Sequence, residues 1–420
     1  MIRSLTPLLL FAAFWTLPAD AQWQWRPGGY VMSTGQLQQY NREDVRAADG
    51  DRTAREDTAA LRLQLDGRHP ALQFSLHYEL LGEFGDAVED RGFLTERGIA
   101  LFEPSRIIPD DDTRLMRLRH TVSDGSRHRA VQRLDRAYVG TGTMTFSAQI
   151  GRQLHSWGSG QVFQVHDWLR SGSPLALDRE YQPGEDMLYG EYLTATGGEI
   201  QAATVVRRER ETGDVTHDAA TYAAKKEWLR PGVEFRLLAA RHFGTAATGA
   251  SVGLDWLGAV WRADGAVFRT EQGRTVGSGL VNVDRFWRCW GRTCHTFIEY
   301  YRNGFGIGDG DYDDLGDDLA RRLEHEDVFT LGRDYTAFGG GLKWRDHLNA
   351  RLEALVNLND GSSFNRIWLD YEPRENLRLS GGVGVTLGGQ TDEFSGVPLG
   401  QEDAQQGYSQ NLFIRLAGFF

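Results

Sequence analysis

The feature that most restricts this chain is strict apolar–polar alternation, sustained over runs longer than ordinary strands. In the last thirteen residues Leu412, Ile414, Leu416 and Phe420 share one parity, and Asn411, Phe413, Arg415 and Ala417 take the other. A period of two means a strand with two unlike surroundings. The pattern recurs upstream. Leu61, Leu63 and Leu65 alternate with Arg62, Gln64 and Asp66, and Leu72 to Leu80 alternates with Gln73 to Glu79. Further runs start at Met144, Val233, Leu348, Ile367 and Leu377. Several approach the roughly 9–11 residues that a tilted strand needs to cross a bilayer.

Counting these runs predicts about eighteen strands. The links between them alternate in length. Short turns are expected at Asp66–Pro70, Gly140–Gly142, Arg230–Gly232, Arg262–Gly265, Arg345–Asp346 and Pro373–Asn376. Long links are expected at Asn41–Asp57, Gly82–Arg129, Leu154–Met187, Gly304–Leu331 and Gly389–Gln406. Long and short connections in alternation are the habit of outer-membrane barrels, whose periplasmic turns are short and extracellular loops long. A β-sandwich or propeller does not require it. The fold class expected is therefore all-β: a closed, transmembrane antiparallel barrel of about eighteen strands. Closure has a physical cause, because lipid offers no hydrogen bonds to an open sheet edge.

The beginning of the chain agrees. Arg3, the apolar run Leu5 to Leu17 and the Ala19-Asp20-Ala21 site read as a signal peptide, residues 1–21, leaving a barrel over residues 22–420. That reading places the protein in the outer membrane of a Gram-negative cell, with lipid, lipopolysaccharide and the barrel-assembly machinery as partners. Phe420 is expected to serve as the assembly signal. Mean hydropathy is −0.45, yet 12 Trp, 14 Tyr and 21 Phe accompany 50 Gly. Barrels combine these because half of each strand faces water while aromatics gather at the lipid interfaces. The net charge of −12 argues against a nucleic-acid partner.

A barrel this wide leaves a lumen, so charges on the polar parity decide what it can do. Arg62, Glu79, Glu234, Arg236, Lys343, Arg351, Glu353, Arg366, Asp370, Arg378 and Arg415 fall there, seven basic and four acidic. Paired, they brace the wall; in excess, the arginines attract anions. Arg152, Arg236, Arg351, Arg366, Arg378 and Arg415 are the expected substrate path, for an anionic solute or an anionic polysaccharide. The alternatives are a plugged barrel whose loops bind surface polysaccharide and a general small-solute porin.

Other chemistry is sparse. Cys289 and Cys294 flank Trp290-Gly291-Arg292-Thr293 in an expected periplasmic turn, where an oxidising compartment favours a disulfide. Asp309 to Asp314 resembles the opening of a calcium loop, but the twelfth position is Ala320 rather than Glu. Asp317 to Glu326 reads as a short surface helix. No cofactor, metal site or nucleophile–base motif is expected, and a hydrolase is correspondingly disfavoured.

One stretch carries a resemblance. Leu134-Asp135-Arg136-Ala137-Tyr138-Val139 is followed by Ile150-Gly151-Arg152-Gln153, then Trp157-Gly158-Ser159-Gly160, Asp167-Trp168 and Asp178. This succession resembles the alginate-export family of outer-membrane barrels. The resemblance implies an eighteen-stranded barrel and a polysaccharide path, with Gly151, Arg152 and Gln153 as the motif carried over. The chain departs from that family at Trp157–Gly160, where a Tyr-Gly-Asp-type run followed by Arg is usual.

Overall fold

The computed structural model describes residues 22–47, 52–96, 108–109, 111–170, 182–270, 272–398, 405–408 and 410–420. The proposed signal peptide and Asp178 lie outside the described residues. Eighteen antiparallel strands close into a barrel: β1 Gln24–Gln39, β2 Thr53–Arg68, β3 Leu72–Gly85, β4 His128–Gly142, β5 Phe146–Gln153 and β6 Glu185–Leu193 begin it. Next come β7 Gly198–Val205, β8 Thr221–Arg230, β9 Val233–His242, β10 Thr245–Trp256, β11 Ala259–Arg269 and β12 Thr275–Cys289. The circuit ends with β13 Arg292–Arg302, β14 Asp334–Arg345, β15 Leu348–Asn357, β16 Ser363–Arg374, β17 Leu377–Leu387 and β18 Gln410–Phe419. Each strand pairs with the next, and β18 returns to β1 from Tyr30↔Phe419 to Gln39↔Gln410. An extra strand, Arg119–Gly125, pairs with the first half of β4.

The faces follow the parity. Leu352, Ile367, Leu369 and Ile414 remain 51, 58, 50 and 62 % exposed, while Glu353, Arg366, Asp370 and Phe413 between them are buried. An outward apolar band with buried charge behind it suits a wall between lipid and an aqueous interior. Aromatic rings gather at the short-turn end: Trp23 stacks on Trp25 at 5.5 Å, and Trp256 lies 5.9 Å from Trp261. Among the described residues no helix is long and apolar enough to cross a membrane.

Most links fall where the alternation predicts. The Gly82–Arg129 link also contains a helix, Asp86–Glu96, and the extra strand. The expected surface helix is present as Gly316–Glu324. The Arg262–Gly265 turn is not: those residues lie within β11, and the turn is Leu257-Gly258. Arg262 and Asp264 look like turn residues because they are charged beside a glycine, but the lumen accommodates charge within a strand. Gly140–Gly142 likewise closes β4 ahead of the turn.

Three two-residue turns share a form. Phe243-Gly244, Leu257-Gly258 and Trp290-Gly291 all have positive φ at both residues, as the right-handed twist of a tight hairpin demands. The last is stapled by the Cys289–Cys294 disulfide.

Candidate functional site

Two structures shape the interior, and both arise from residues on the lumenal parity. The first is the link after β5, which turns inward. Its residues Trp157, Val162, Phe163, Trp168 and Leu169 are buried in one apolar cluster with Ala203, Ala223, Leu238, Ala266 and Leu280 of the wall. Small lumenal residues on β7 to β11 leave room for the loop's larger ones. Burial of these aromatics supplies most of the attachment, and polar contacts fix the position.

Glu299 on β13 is the main polar contact. Its carboxylate accepts the backbone N–H groups of Gln161, Val162 and Phe163 at 2.6, 3.0 and 2.8 Å. Three successive amides on one carboxylate make a charge-assisted cradle. Neighbouring strands add Asp264, which accepts the Ser159 hydroxyl at 2.6 Å, and Asp284, 3.5 Å from the Gln161 amide nitrogen. Trp157 donates to Gln201 at 2.6 Å. The apex Ser159–Phe163 is thus held against the β11–β13 wall.

The second structure faces it. A cavity of about 590 Å³ lies between Gln161 of the loop and the wall of β12 to β18 and β1. Arg351, Arg366, Arg378 and Arg415 line it, together with the carboxylates of Glu353 and Asp370. Arg351 pairs with Asp370 at 3.1 Å but keeps half of its side chain exposed, with its guanidinium 5.7 Å from the Trp368 ring centre. Arg366 pairs with Glu353 at 3.0 Å, and its guanidinium lies 4.8 Å from the centre of the same ring. Arg378 reaches Glu372 at 2.8 Å and Arg415 donates to Thr34 at 3.1 Å. Gly382 makes the ring's space: a Cβ there would meet Trp368 at 2.6 Å and Phe413 at 2.9 Å.

Four of the six expected path arginines therefore meet at one cavity. The other two do not. Arg236 reaches Glu227 at 3.1 Å, also pairs with Glu234, and points at the Trp157 carbonyl at 3.5 Å on the loop's side of the lumen. Arg152 has no exposed side-chain surface: it holds Asp186 at 2.8 Å, Asp111 at 2.7 Å and the Met116 carbonyl at 2.5 Å. It fastens the segment after residue 110 to the wall, in a network that continues through Arg114, Arg133, Asp135, Arg62 and Glu79. Burial alone would raise the Asp111 carboxyl, but the guanidiniums of Arg133, Arg114 and Arg152 outweigh it and leave it below the usual range.

The two motif neighbours are structural in placement. Gly151 has φ +126°, and a Cβ there would collide with the Ala137 carbonyl. Gln153 donates to the Met187 carbonyl at 3.0 Å. Phe420 exchanges backbone hydrogen bonds with Gly29 at 2.9 and 3.0 Å, which secures the end of the seam. Glu299, Asp264 and Trp368 were absent from the expected site. Glu299 could have been found as a lone carboxylate on the inward parity of the aromatic strand Phe297 to Tyr301; what it binds could not.

No protein-family model matches the chain, and neither does any curated protein sequence. Solved structures do match in fold. OccK2 (OpdF) of Pseudomonas aeruginosa superposes with a TM-score of 0.54 at 10 % identity, covering 94 % of this chain and 98 % of that one. A BenF-like porin from Pseudomonas fluorescens gives 0.53 at 9 % identity, covering 96 and 99 %. OccAB2 of Acinetobacter baumannii gives 0.51 at 10 %, covering 94 and 98 %. The fold is porin-like. At these identities the likeness extends to architecture and to nothing more specific, and alginate export gains no support from it.

Proposed function

We propose that the chain is an outer-membrane channel through which small anionic solutes diffuse, with lipopolysaccharide against its outer rim and the barrel-assembly machinery as its route into the membrane. The observation that carries this reading is the arginine wall. Four guanidiniums and two carboxylates share one cavity, and the inward loop stands opposite. Clustered positive charge in a low-dielectric wall raises the local anion concentration, and successive arginines offer bidentate sites for carboxylate or phosphate.

The small-solute reading is preferred to the polysaccharide reading for two reasons. The anchored loop narrows the lumen beside the arginines, and the motif that resembles alginate export is occupied in wall contacts. Arg152 in particular is enclosed by its own carboxylates. Proteoliposome swelling tests the choice. Glutamate-sized anions should enter faster than neutral sugars of similar size, and short polyuronates should not enter. Faster entry of cationic amino acids, or free passage of polyuronate, would contradict the reading.

A further inference from the structure

The last link, between β17 and β18, carries a buried acid that the transport path does not use. Glu393 is fully buried where three extracellular segments meet. Its carboxyl accepts the Leu331 N–H at 2.8 Å from the Asn303–Arg333 link and the Asn357 side-chain amide at 2.7 Å from the end of β15. It also accepts the Tyr335 hydroxyl at the start of β14. A second acid is adjacent: Asp360 accepts the Glu393 N–H at 2.9 Å, the Tyr312 hydroxyl at 2.9 Å and the Asn357 amide at 3.0 Å. The titratable groups facing Glu393 are thus Tyr335, Tyr312 and Asp360, with Tyr408 behind. Among the described residues no Arg, Lys or His pairs with either carboxyl.

We propose that Glu393 is a proton-operated pin, which holds the β17–β18 link against the Asn303–Arg333 link when protonated and lets the two separate when ionised. The site contains two acids and no cation, so it tolerates one negative charge far better than two. Described residues of the same link pack around it. Phe394 is buried beside Tyr408 and Phe364, and Arg46 and Asp44 of the first link bind the Gly407 backbone at 2.5 and 3.2 Å.

The sign follows from the balance of forces. Burial is the largest influence and raises the Glu393 carboxyl, Asp360 adds to it, and the three donors oppose both; the result is about 7. A released Glu393 returns to the ordinary value of about 4.5. The pinned state is therefore fully favoured below that value and weakens as pH rises through about 7. The difference between about 4.5 and about 7 corresponds to a loss of roughly 300-fold in the pinning equilibrium.

The test uses the full chain in lipid with a spin label on Thr391→Cys. Thr391 is exposed, and the two native cysteines are joined to each other. Label mobility should rise with pH, with its midpoint near neutrality. Glu393→Gln should abolish the transition and keep the label ordered. Asp360→Asn removes the neighbouring charge and should move the midpoint down, whereas Tyr335→Phe removes a donor and should move it up. A label insensitive to pH, a Glu393→Gln variant that keeps the transition, or equal midpoints in the two neighbouring variants would overturn the proposal. The result is independent of the solute reading, because no transport is measured.

Discussion

The two sides of the lumen use arginine for opposite ends. On the β2–β6 side, Arg62, Arg114, Arg133 and Arg152 are sealed among Glu79, Asp111, Asp135 and Asp186. On the β15–β18 side, Arg351, Arg366, Arg378 and Arg415 surround a cavity, and Arg351 keeps half its side chain in the open. The alternation pattern is the same on both sides. What differs is the surroundings: one wall is covered by a chain segment that adds matching carboxylates, and the other keeps its ion pairs beside a cavity and aromatic rings. Charge on the polar parity thus indicates a lumenal position, while the contents of the lumen decide whether it braces or conducts.

The largest effect should come from the sealed side. Arg152→Ala removes the guanidinium that holds buried Asp186 and one of the three around Asp111, at a cost of about 3–5 kcal/mol. Urea unfolding in detergent, followed by the gel-mobility difference between folded and unfolded barrel, should show the loss. Ion selectivity should change little in whatever fraction folds. A stable variant with altered selectivity would erase the distinction between the two walls.

Next is the fastener between the walls. Glu299→Ala removes an acceptor shared by three backbone amides, each such charged bond contributing about 1.5–3 kcal/mol. The inward loop should loosen, and single-channel conductance and the size limit for solutes should rise. An unchanged conductance would mean that the apolar cluster alone holds the loop. Glu299→Gln keeps one acceptor and should fall between the two.

Arg351→Gln should have the converse profile to Arg152→Ala. Its half-exposed pair with Asp370 contributes about 0–1 kcal/mol to stability, so unfolding should barely move while anion preference falls. The smallest effect should be that of Cys289→Ser with Cys294→Ser. The disulfide encloses only four residues at one two-residue turn, so transport should be unaffected. Thiol labelling of the denatured, unreduced wild type should find neither cysteine.

The strand count, closure and the facing of the arginines were legible because a barrel wall imposes a period of two on every strand, whatever its neighbours. The disulfide was legible because the cysteines lie on either side of one turn. The site was less so. Arg351 follows from the alternation, but Arg152 continues the parity of Phe146 and Ile150, and its enclosure by Asp111 and Asp186 arises only through folding. The grip of Glu299 on the backbone of residues 161–163 leaves no side-chain signature at all. The Arg262–Gly265 error has the same origin, since a charge pair beside a glycine reads alike in a turn and on a water-filled wall.

The central claim is that the arginine wall is open to solute and sets the sign of selectivity. The direct test is the reversal potential of the wild-type channel across a salt gradient in a planar bilayer. It should report anion preference at low salt and lose most of it at high salt, as the Debye length falls from about 30 Å at 0.01 M to about 3 Å at 1 M. A reversal potential of the cation-selective sign at low salt, or a preference untouched by Arg351→Gln together with Arg366→Gln, would contradict it.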